Sequence, residues 1–258
     1  MSRTASSTLS VIIITKNEEH NIAECLKSVS FADEIIVVDS GSTDNTCGIA
    51  ESMGAQVTIT ADWPGFGPQK NRALSLATKE WVLSIDADER VTPELAHEIQ
   101  QLLVSSPQHE AYKIARLSNF CGRWMRHSGW WPDHVLRLFK RGSTKFTDDI
   151  VHESVKETNS LGTLSGHFLH YPYPNLESLI DKVNRYSTDG ANKMLAKGRR
   201  TGVAGIITHS VWTFIRIYFL RRGFLDGKEG FIMAAIGASG SFYRYSKLLY
   251  LQQGKDQN

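Results

Sequence analysis

Apolar runs of strand length alternate with helical patterns four times within about the first 100 residues. The first run is short, unbroken and rich in β-branched side chains, which is typical of a strand that is covered on both faces, and the second also has the pattern of a buried strand. The runs are LSVIIIT (9–15), EIIVVDS (34–40), QVTIT (56–60) and EWVLSID (80–86). Because parallel strands need helical crossovers, this alternation predicts an α/β fold in which a mostly parallel sheet carries helices on both faces.

The pattern changes after residue 108. The segments EAYKIARLSNFCG, HVLRLFK and GTLSGHFLHYPY look like strands with long connections, and from Asn175 onward the pattern is mainly helical. We therefore expect a domain over residues 1–174 and a helical, basic C-terminal extension over residues 175–258.

Charge is distributed unevenly along the chain. Residues 1–100 hold 7 Lys/Arg against 15 Asp/Glu, whereas residues 182–228 hold 10 Lys/Arg against only Asp189 and Asp226. The basic segment is a candidate for anionic partners such as phospholipid head groups, and the alternative is a solvated helical face.

The longest apolar stretch, VAGIITHSVWTFIRIYFL (203–220), contains His209 and Arg216, so we expect it to be buried or interfacial rather than membrane-spanning. Its predicted apolar face consists of Ile206, Ile207, Val211, Phe214, Ile215, Tyr218 and Phe219. The basic residues near the end of the preceding helix are Lys193, Lys197, Arg199 and Arg200. Together they predict reversible docking on an inner-leaflet membrane surface, and the rival interpretation is that the apolar face packs on the preceding domain.

The three cysteines, Cys25, Cys47 and Cys121, are odd in number and have no CxxC spacing. This argues against a disulfide framework and a zinc site, and it fits a reducing compartment. The first apolar run is too short for a signal peptide and no cleavage site follows it. We therefore expect a cytoplasmic protein.

Polar residues follow the predicted strands where each strand ends. In a parallel α/β sheet, ligands bind beyond these carboxyl ends. The first two strands end at Thr15 and Asp39, with Ser42 just beyond, and the fourth ends at Asp86 and Asp88. Asp39 fits either a turn cap or an acceptor for the donor groups of a nucleotide.

Asp86 and Asp88 are two residues apart, and on an extended chain their side chains would point the same way. Two carboxylates this close resist ionising together unless a cation compensates. Hard oxygen ligands suit Mg²⁺ or Mn²⁺, which usually bridge one or two carboxylates to substrate phosphates. The position of this DxD at a strand end therefore predicts a metal–diphosphate site.

The segments SVIIITKNEEHNI, EIIVVDSGSTDNT, QKNRAL and SIDADE, in this order and spacing, resemble the family 2 glycosyltransferases of the GT-A (Rossmann-like) fold. The resemblance implies a nucleotide-sugar donor bound by residues of about 8–105, with residues of about 106–174 forming the acceptor and catalytic part. It implies donor contacts from Thr15, Asn17, Glu19, Asp39, Ser42, Lys70, Asn71 or Arg72, and Asp86. It also implies Asp88 as the metal ligand, with Asp86 facing the ribose or the metal.

FTDDIVHESV (146–155) brings several acidic residues close to where this family places its catalytic carboxylate, namely Asp148, Asp149 and Glu153 beside His152. Inverting transfer needs a base that takes the proton of the acceptor hydroxyl as it attacks the anomeric carbon. We assign this role to Glu153, with Asp149 as the alternative, although the segment also fits a solvated acidic turn. His170 could complete the metal shell, as a histidine does in some GT-A enzymes, or pack among aromatic side chains.

The C-terminal half, with VHESV, LHYP and GFLDGKEGF, resembles the WaaE/KdtX group of lipopolysaccharide core glucosyltransferases. This resemblance implies transfer of glucose from UDP-glucose to an inner-core heptose, so that the partners are the lipid A-core acceptor and the inner membrane of a Gram-negative bacterium. The QxxRW pattern of processive synthases is missing, which favours one sugar per acceptor, and no nucleic acid partner is expected.

Three alternatives remain open at this point. The first is a family 2 glycosyltransferase that acts on another lipid-linked or polysaccharide acceptor. The second, a metal-dependent nucleotidyltransferase, would be expected to carry a basic glycine-rich loop after the first strand, whereas TKNEEHN is acidic and lacks glycine. The third, a non-enzymatic membrane adaptor, leaves the DxD and Asp39 without a purpose.

Overall fold

The structure, a computed structural model, describes residues 7–105, 107–147, 160–173 and 175–255. The chain divides into two compact units, one formed by residues 1–116 and 133–170 and the other by residues 117–132 and 171–258. The predicted α/β fold with a helical C-terminal extension is confirmed.

The first unit is built on one mixed sheet. The strands of the chain are β1 (Leu9–Thr15), β2 (Glu34–Asp39), β3 (Gln56–Ile59), β4 (Trp81–Ser84), β5 (Glu89–Val91), β6 (Ala111–Phe120), β7 (Arg123–Trp124), β8 (Asp133–Lys140) and β9 (Leu161–His170), of which β7 and the end of β6 belong to the second unit. Their order is β3-β2-β1-β4-β8-β6-β9-β5, with β7 paired to β6. The pairs among β1 to β4 are parallel, whereas β8 joins β4 in the antiparallel sense, as do β5 with β9 and β6 with β8.

Two hydrophobic cores cover the two faces of the parallel strands, because successive side chains of a strand point to opposite faces. Val11 and Ile13 lie in one core, and Ile12 between them lies in the other. The first core is closed by α1 (Ile22–Ser28), α2 (Thr46–Ser52) and α4 (Pro93–Val104), and the second by α3 (Phe66–Leu76). Thr92 caps the start of α4, because its Oγ1 accepts a hydrogen bond from the amide of Leu95.

The second unit is helical apart from the end of β6 and the short β7. It contains α5 (Leu176–Ala196), α6 (Val203–Ile215), a π-helical turn (Arg216–Leu220), a 3-10 turn (Gly223–Asp226) and α7 (Gly227–Lys255). A small core of Phe120, Met125, Leu179 and Met233 joins these elements.

Asp226 ties two loops of the second unit together. Its buried carboxylate accepts hydrogen bonds from the amides of Arg126 and His127, from His127 Nδ1 and from Ser128 Oγ. A Cβ on Gly230 would lie 1.8 Å from the carbonyl oxygen of Gly223, so the turn that presents Asp226 can close only around this glycine. The glycines and the acid of GFLDGKEGF thus have a structural role.

The apolar stretch 203–220 is mostly exposed, so of the two predicted alternatives, buried or interfacial, the buried one is wrong. Among the described residues it is one helix that, by length and composition alone, could cross a membrane. Within the predicted apolar face, Ile206 is buried, and Phe214 and Tyr218 pack against Phe231 of α7. The interfacial interpretation stays a prediction.

Candidate functional site

Three polar residues meet at the carboxyl ends of β1 and β2. The parallel register sets Thr15 opposite Asp39, and Thr15 Oγ1 donates a 2.8 Å hydrogen bond to Asp39 Oδ2. Ser42, in the turn after β2, donates to the same carboxylate through its amide, at 2.7 Å, and through its hydroxyl. Burial alone would raise the pKa of Asp39, but these hydrogen bonds outweigh it and hold the pKa below its usual range.

Hydrogen bonds join the loops that follow β1 and β2, and they are formed by residues that were predicted to contact the donor. The amide of Asn17, a residue with a left-handed backbone (φ 55°), donates to Ser42 Oγ, and Asn17 Oδ1 accepts from the amide of Thr43. Glu19 Oε2 accepts from the amide of Asn45 at 3.1 Å. Thr15, Asn17, Glu19, Asp39 and Ser42 therefore form one connected rim.

The DADE segment is a turn, so the prediction that Asp86 and Asp88 share one side of an extended chain is wrong. β4 ends at Ser84, and the amide of Glu89 closes the turn on the carbonyl of Asp86 at 2.9 Å. Arg90 Nη1 donates to the carbonyl of Ala87 within the same turn. The two carboxylates consequently have different partners.

Asp86 is compensated by cationic side chains of the protein. Lys70 Nζ lies 2.8 Å from Asp86 Oδ1, and Arg137 Nη2 contacts Asp86 Oδ2. Burial alone would raise the pKa of Asp86, but the guanidinium of Arg137 and the ammonium of Lys70 hold it well below its usual range. Arg137 also lies 3.2 Å from the buried Glu89 Oε1. The repulsion among the carboxylates of this turn is thus offset by buried ion pairs.

Asp88 faces His170. The antiparallel register of β5 and β9 sets Glu89 opposite His170, and His170 Nε2 lies 3.5 Å from Asp88 Oδ2. A carboxylate oxygen is a ligand that Mg²⁺ or Mn²⁺ accepts, so Asp88, with His170 beside it, would be the residue that holds the predicted cation. Within the described ranges no group of three or more His, Cys, Asp or Glu gathers as a metal site. The assignment of Asp88 and His170 as metal ligands therefore stays a prediction.

The α3 residues proposed to contact the donor take different positions. Lys70 is buried against Asp86 and lies 5.8 Å from the centroid of the Phe146 ring. Asn71 bonds the backbone of Phe146 through both its amide nitrogen and its oxygen. Arg72 is more exposed and forms a two-pronged ion pair with Asp62, at 2.8 and 2.7 Å. Lys70 thus joins the site, whereas the Arg72 guanidinium is engaged by Asp62.

The residues proposed for proton transfer, Asp148, Asp149, His152 and Glu153, lie outside the described residues. Their assignment stays a prediction. The described chain reaches Thr147, and Asn71 fixes the backbone of Phe146 immediately before it.

Three buried polar residues of this region were not predicted from the sequence. Arg137 and Glu89 belong to the ion pairs around Asp86, and Gln69 Nε2 donates to Ser40 Oγ and Thr60 Oγ1. One signal was available for Arg137, because an arginine within the apolar strand HVLRLFK must find a buried partner.

Comparisons with known proteins agree on one family. The profile of glycosyl transferase family 2 matches residues 10–156. A glycosyltransferase of Rickettsia typhi is 36% identical over 252 residues, covering 93% of this chain and 86% of the relative. The lipopolysaccharide core biosynthesis glycosyltransferase LpsC of Rhizobium meliloti is 32% identical over 256 residues, covering 93% and 91%.

Among solved structures, residues 1–349 of TarS from S. aureus superpose with a TM-score of 0.50 at 16% identity. This match covers 97% of the chain and 91% of the TarS fragment, so the two share a fold.

Proposed function

Because the chain belongs to glycosyl transferase family 2, we propose that it is an inverting enzyme that moves glucose from UDP-glucose to an inner-core heptose of lipopolysaccharide, as in the WaaE/KdtX group. The observation that carries the proposal is the pairing of Asp88 with His170 beside the rim of Thr15, Asp39 and Ser42. These groups adjoin the carboxyl ends of the parallel strands, where such sheets bind ligands.

The rim binds the nucleoside part of the donor, and Asp88 and His170 lie at its diphosphate end. A divalent cation bound there would stabilise the charge that develops on the leaving diphosphate. Lys70 and Arg137 keep Asp86 ionised and fixed, so that its carboxylate can accept hydrogen bonds from ribose hydroxyls.

Transfer itself requires one base. Glu153 takes the proton of the acceptor hydroxyl while that oxygen attacks the anomeric carbon opposite the leaving UDP, which inverts the configuration. The acceptor hydroxyl must also lie in line with the bond to the leaving UDP, so correct placement of the heptose matters as much as the base.

Support for the acceptor comes from LpsC, whose name assigns it to lipopolysaccharide core biosynthesis and whose similarity extends over 93% of this chain. A lipid A-core acceptor is anchored in a membrane leaflet. We therefore place the enzyme at the cytoplasmic side of the inner membrane.

Asp39→Asn is expected to weaken UDP binding by about 10- to 100-fold, the scale of a hydrogen bond to a charged group. The substitution keeps the shape of the side chain but removes the charge that orders Ser42 and Thr15. Asp33→Asn is the matched control, because Asp33 caps Leu9 at the opposite ends of the same two strands. Calorimetry with UDP and Mn²⁺ measures both, and equal affinities would exclude Asp39 from the donor site.

The function is tested by incubating the purified chain with a panel of nucleotide sugars and truncated core oligosaccharides. We expect UDP release from UDP-glucose that depends on a heptose-terminated acceptor, with a β-linked product identified by NMR. Turnover with another acceptor would keep the family and replace the acceptor. Absence of transfer from every nucleotide sugar, with intact UDP binding, would contradict the proposal.

A further inference from the structure

The second unit carries a continuous apolar stripe on the outer side of α6 and the π-helical turn. Five side chains at i, i+4 spacing form it, and they are 37 to 65% exposed. They are Val203, Ile207, Val211, Ile215 and Phe219, joined on one flank by Trp212 and Leu220. The other side of α6 packs on α7, as the stacked rings of His209 and Tyr245 show. A helix that is apolar all round is expected to be fully covered, so this stripe lacks its covering layer.

Basic residues lie at both ends of the stripe. Arg216, Arg221 and Arg222 are exposed at its C-terminal end, and in the described part of the chain none of the three has a carboxylate within ion-pair distance. At the other end stand Lys193, Lys197 and Arg199, which are also exposed. The stripe itself runs over the 18 residues Val203–Leu220, which span about 27 Å.

We propose that this face docks the second unit on an anionic lipid surface, with α6 lying in the plane of the interface. The stripe enters the boundary between head groups and acyl chains, and the flanking cations bind lipid phosphates. The proposal rests on the proposed function in one respect, because that function requires an acceptor anchored in a lipid leaflet. The observations that support the docking surface come from the second unit alone.

Charge decides against a second copy of the chain as the occupant. If two stripes paired in parallel, Arg216, Arg221 and Arg222 would meet themselves. If they paired in antiparallel fashion, these arginines would meet the cluster of Lys193, Lys197 and Arg199. Both arrangements oppose like charges, whereas a leaflet rich in anionic lipid complements both ends at once.

Packing decides against α6 crossing the bilayer. Phe214 and Tyr218 pack on Phe231, so α6 cannot insert without α7. Along its length α7 carries Glu229, Arg244 and Lys247, which would have to enter the hydrocarbon with it. If the pair lies flat, these charges do not have to cross the hydrocarbon.

The test is sedimentation of the full chain with vesicles of phosphatidylethanolamine and phosphatidylglycerol, compared with phosphatidylcholine alone. We expect binding that needs the anionic lipid and weakens with salt. Ile207→Ser with Val211→Ser should lower the partition coefficient at least about 100-fold. Arg216→Gln with Arg222→Asn should lower it about 30-fold at low salt and less at high salt.

The matched control is Leu176→Ser with Ile180→Ser, which removes two exposed apolar side chains from α5 and should leave partitioning unchanged. Wild-type chain that stays in the supernatant, or a stripe variant that binds normally, overturns the proposal. So does resistance to alkaline carbonate, which indicates a spanning helix, or a lipid-free dimer that the stripe substitutions dissociate.

UDP binding and sugar transfer to a soluble, deacylated acceptor are measured on the same samples. A stripe variant that loses vesicle binding but still transfers sugar to the soluble acceptor would support the docking surface and would show that the active site is intact. Vesicle binding by a wild-type chain that transfers no sugar would overturn the proposed function and leave the docking surface standing.

Discussion

Asp88→Ala should lower kcat for glycosyl transfer at least about 100-fold, the scale of removing one electrostatic stabiliser from an active site. The leaving diphosphate gains charge as the glycosidic bond breaks, and among the described residues the ion-pair partner of Asp88 is His170 rather than a lysine or an arginine. Asp86, by contrast, is held by Lys70 and Arg137. EDTA should abolish transfer by the wild-type enzyme, and Mn²⁺ or Mg²⁺ should restore it.

His170→Ala should weaken Mn²⁺ binding, measured by calorimetry in the presence of UDP, because it removes the partner 3.5 Å from Asp88. For Asp88→Ala the matched control is Glu24→Ala, which also removes a carboxylate. Glu24 is an exposed residue of α1 whose only described ion pair is with Lys27. Full activity in chelator, or an Asp88→Ala enzyme with unchanged kcat, would show that the reaction needs no metal at this position.

Local sequence was sufficient to predict the parallel half of the fold. β1, β2 and β4 consist mainly of consecutive apolar residues, and Thr92 followed by Pro93 is a direct signal for a helix start. β5 was not predicted, because its three residues, Glu89 to Val91, become a strand only by pairing with β9 far along the chain. Long-range pairing of this kind leaves no local periodicity.

The same long-range pairing explains what was missed in the site. The repulsion between Asp86 and Asp88 was correctly identified as a problem, but the sequence offered a metal as the solution for both. The structure divides them, because the antiparallel pairing of β8 with β4 carries Arg137 to Asp86. An ionic partner contributed by a strand some 50 residues away cannot be read from spacing.

The apolar face of α6 shows a second limit of sequence-based prediction, which concerns the burial of individual side chains. Where nearly every position of a helix is apolar, periodicity cannot tell the packed side from the exposed one. Ile206 and Ile207 are neighbours in sequence, yet Ile206 is buried and Ile207 is 56% exposed. Only the position of α7 decides between them.

Glu153→Gln should cut kcat by about 10²- to 10⁴-fold, the range for loss of a general base. The amide is nearly the same size as the carboxylate but cannot accept the proton of the acceptor hydroxyl, so UDP and Mn²⁺ should bind as in the wild type. This pairing of intact donor affinity with lost turnover separates a base from a donor-binding residue, because loss of Asp39 or Asp88 should alter nucleotide or metal affinity as well.

Asp149→Asn is the matched variant, four residues earlier in the same segment, and it should keep most of the activity. An ionised base also makes kcat fall at low pH, because its protonated form cannot take the proton, and this acid limb should disappear from the residual activity of Glu153→Gln. If Glu153→Gln stays active while Asp149→Asn is inactive, the base is Asp149. If both variants keep wild-type turnover and the acid limb, the base lies outside FTDDIVHESV and inverting transfer relies on a carboxylate elsewhere in the chain.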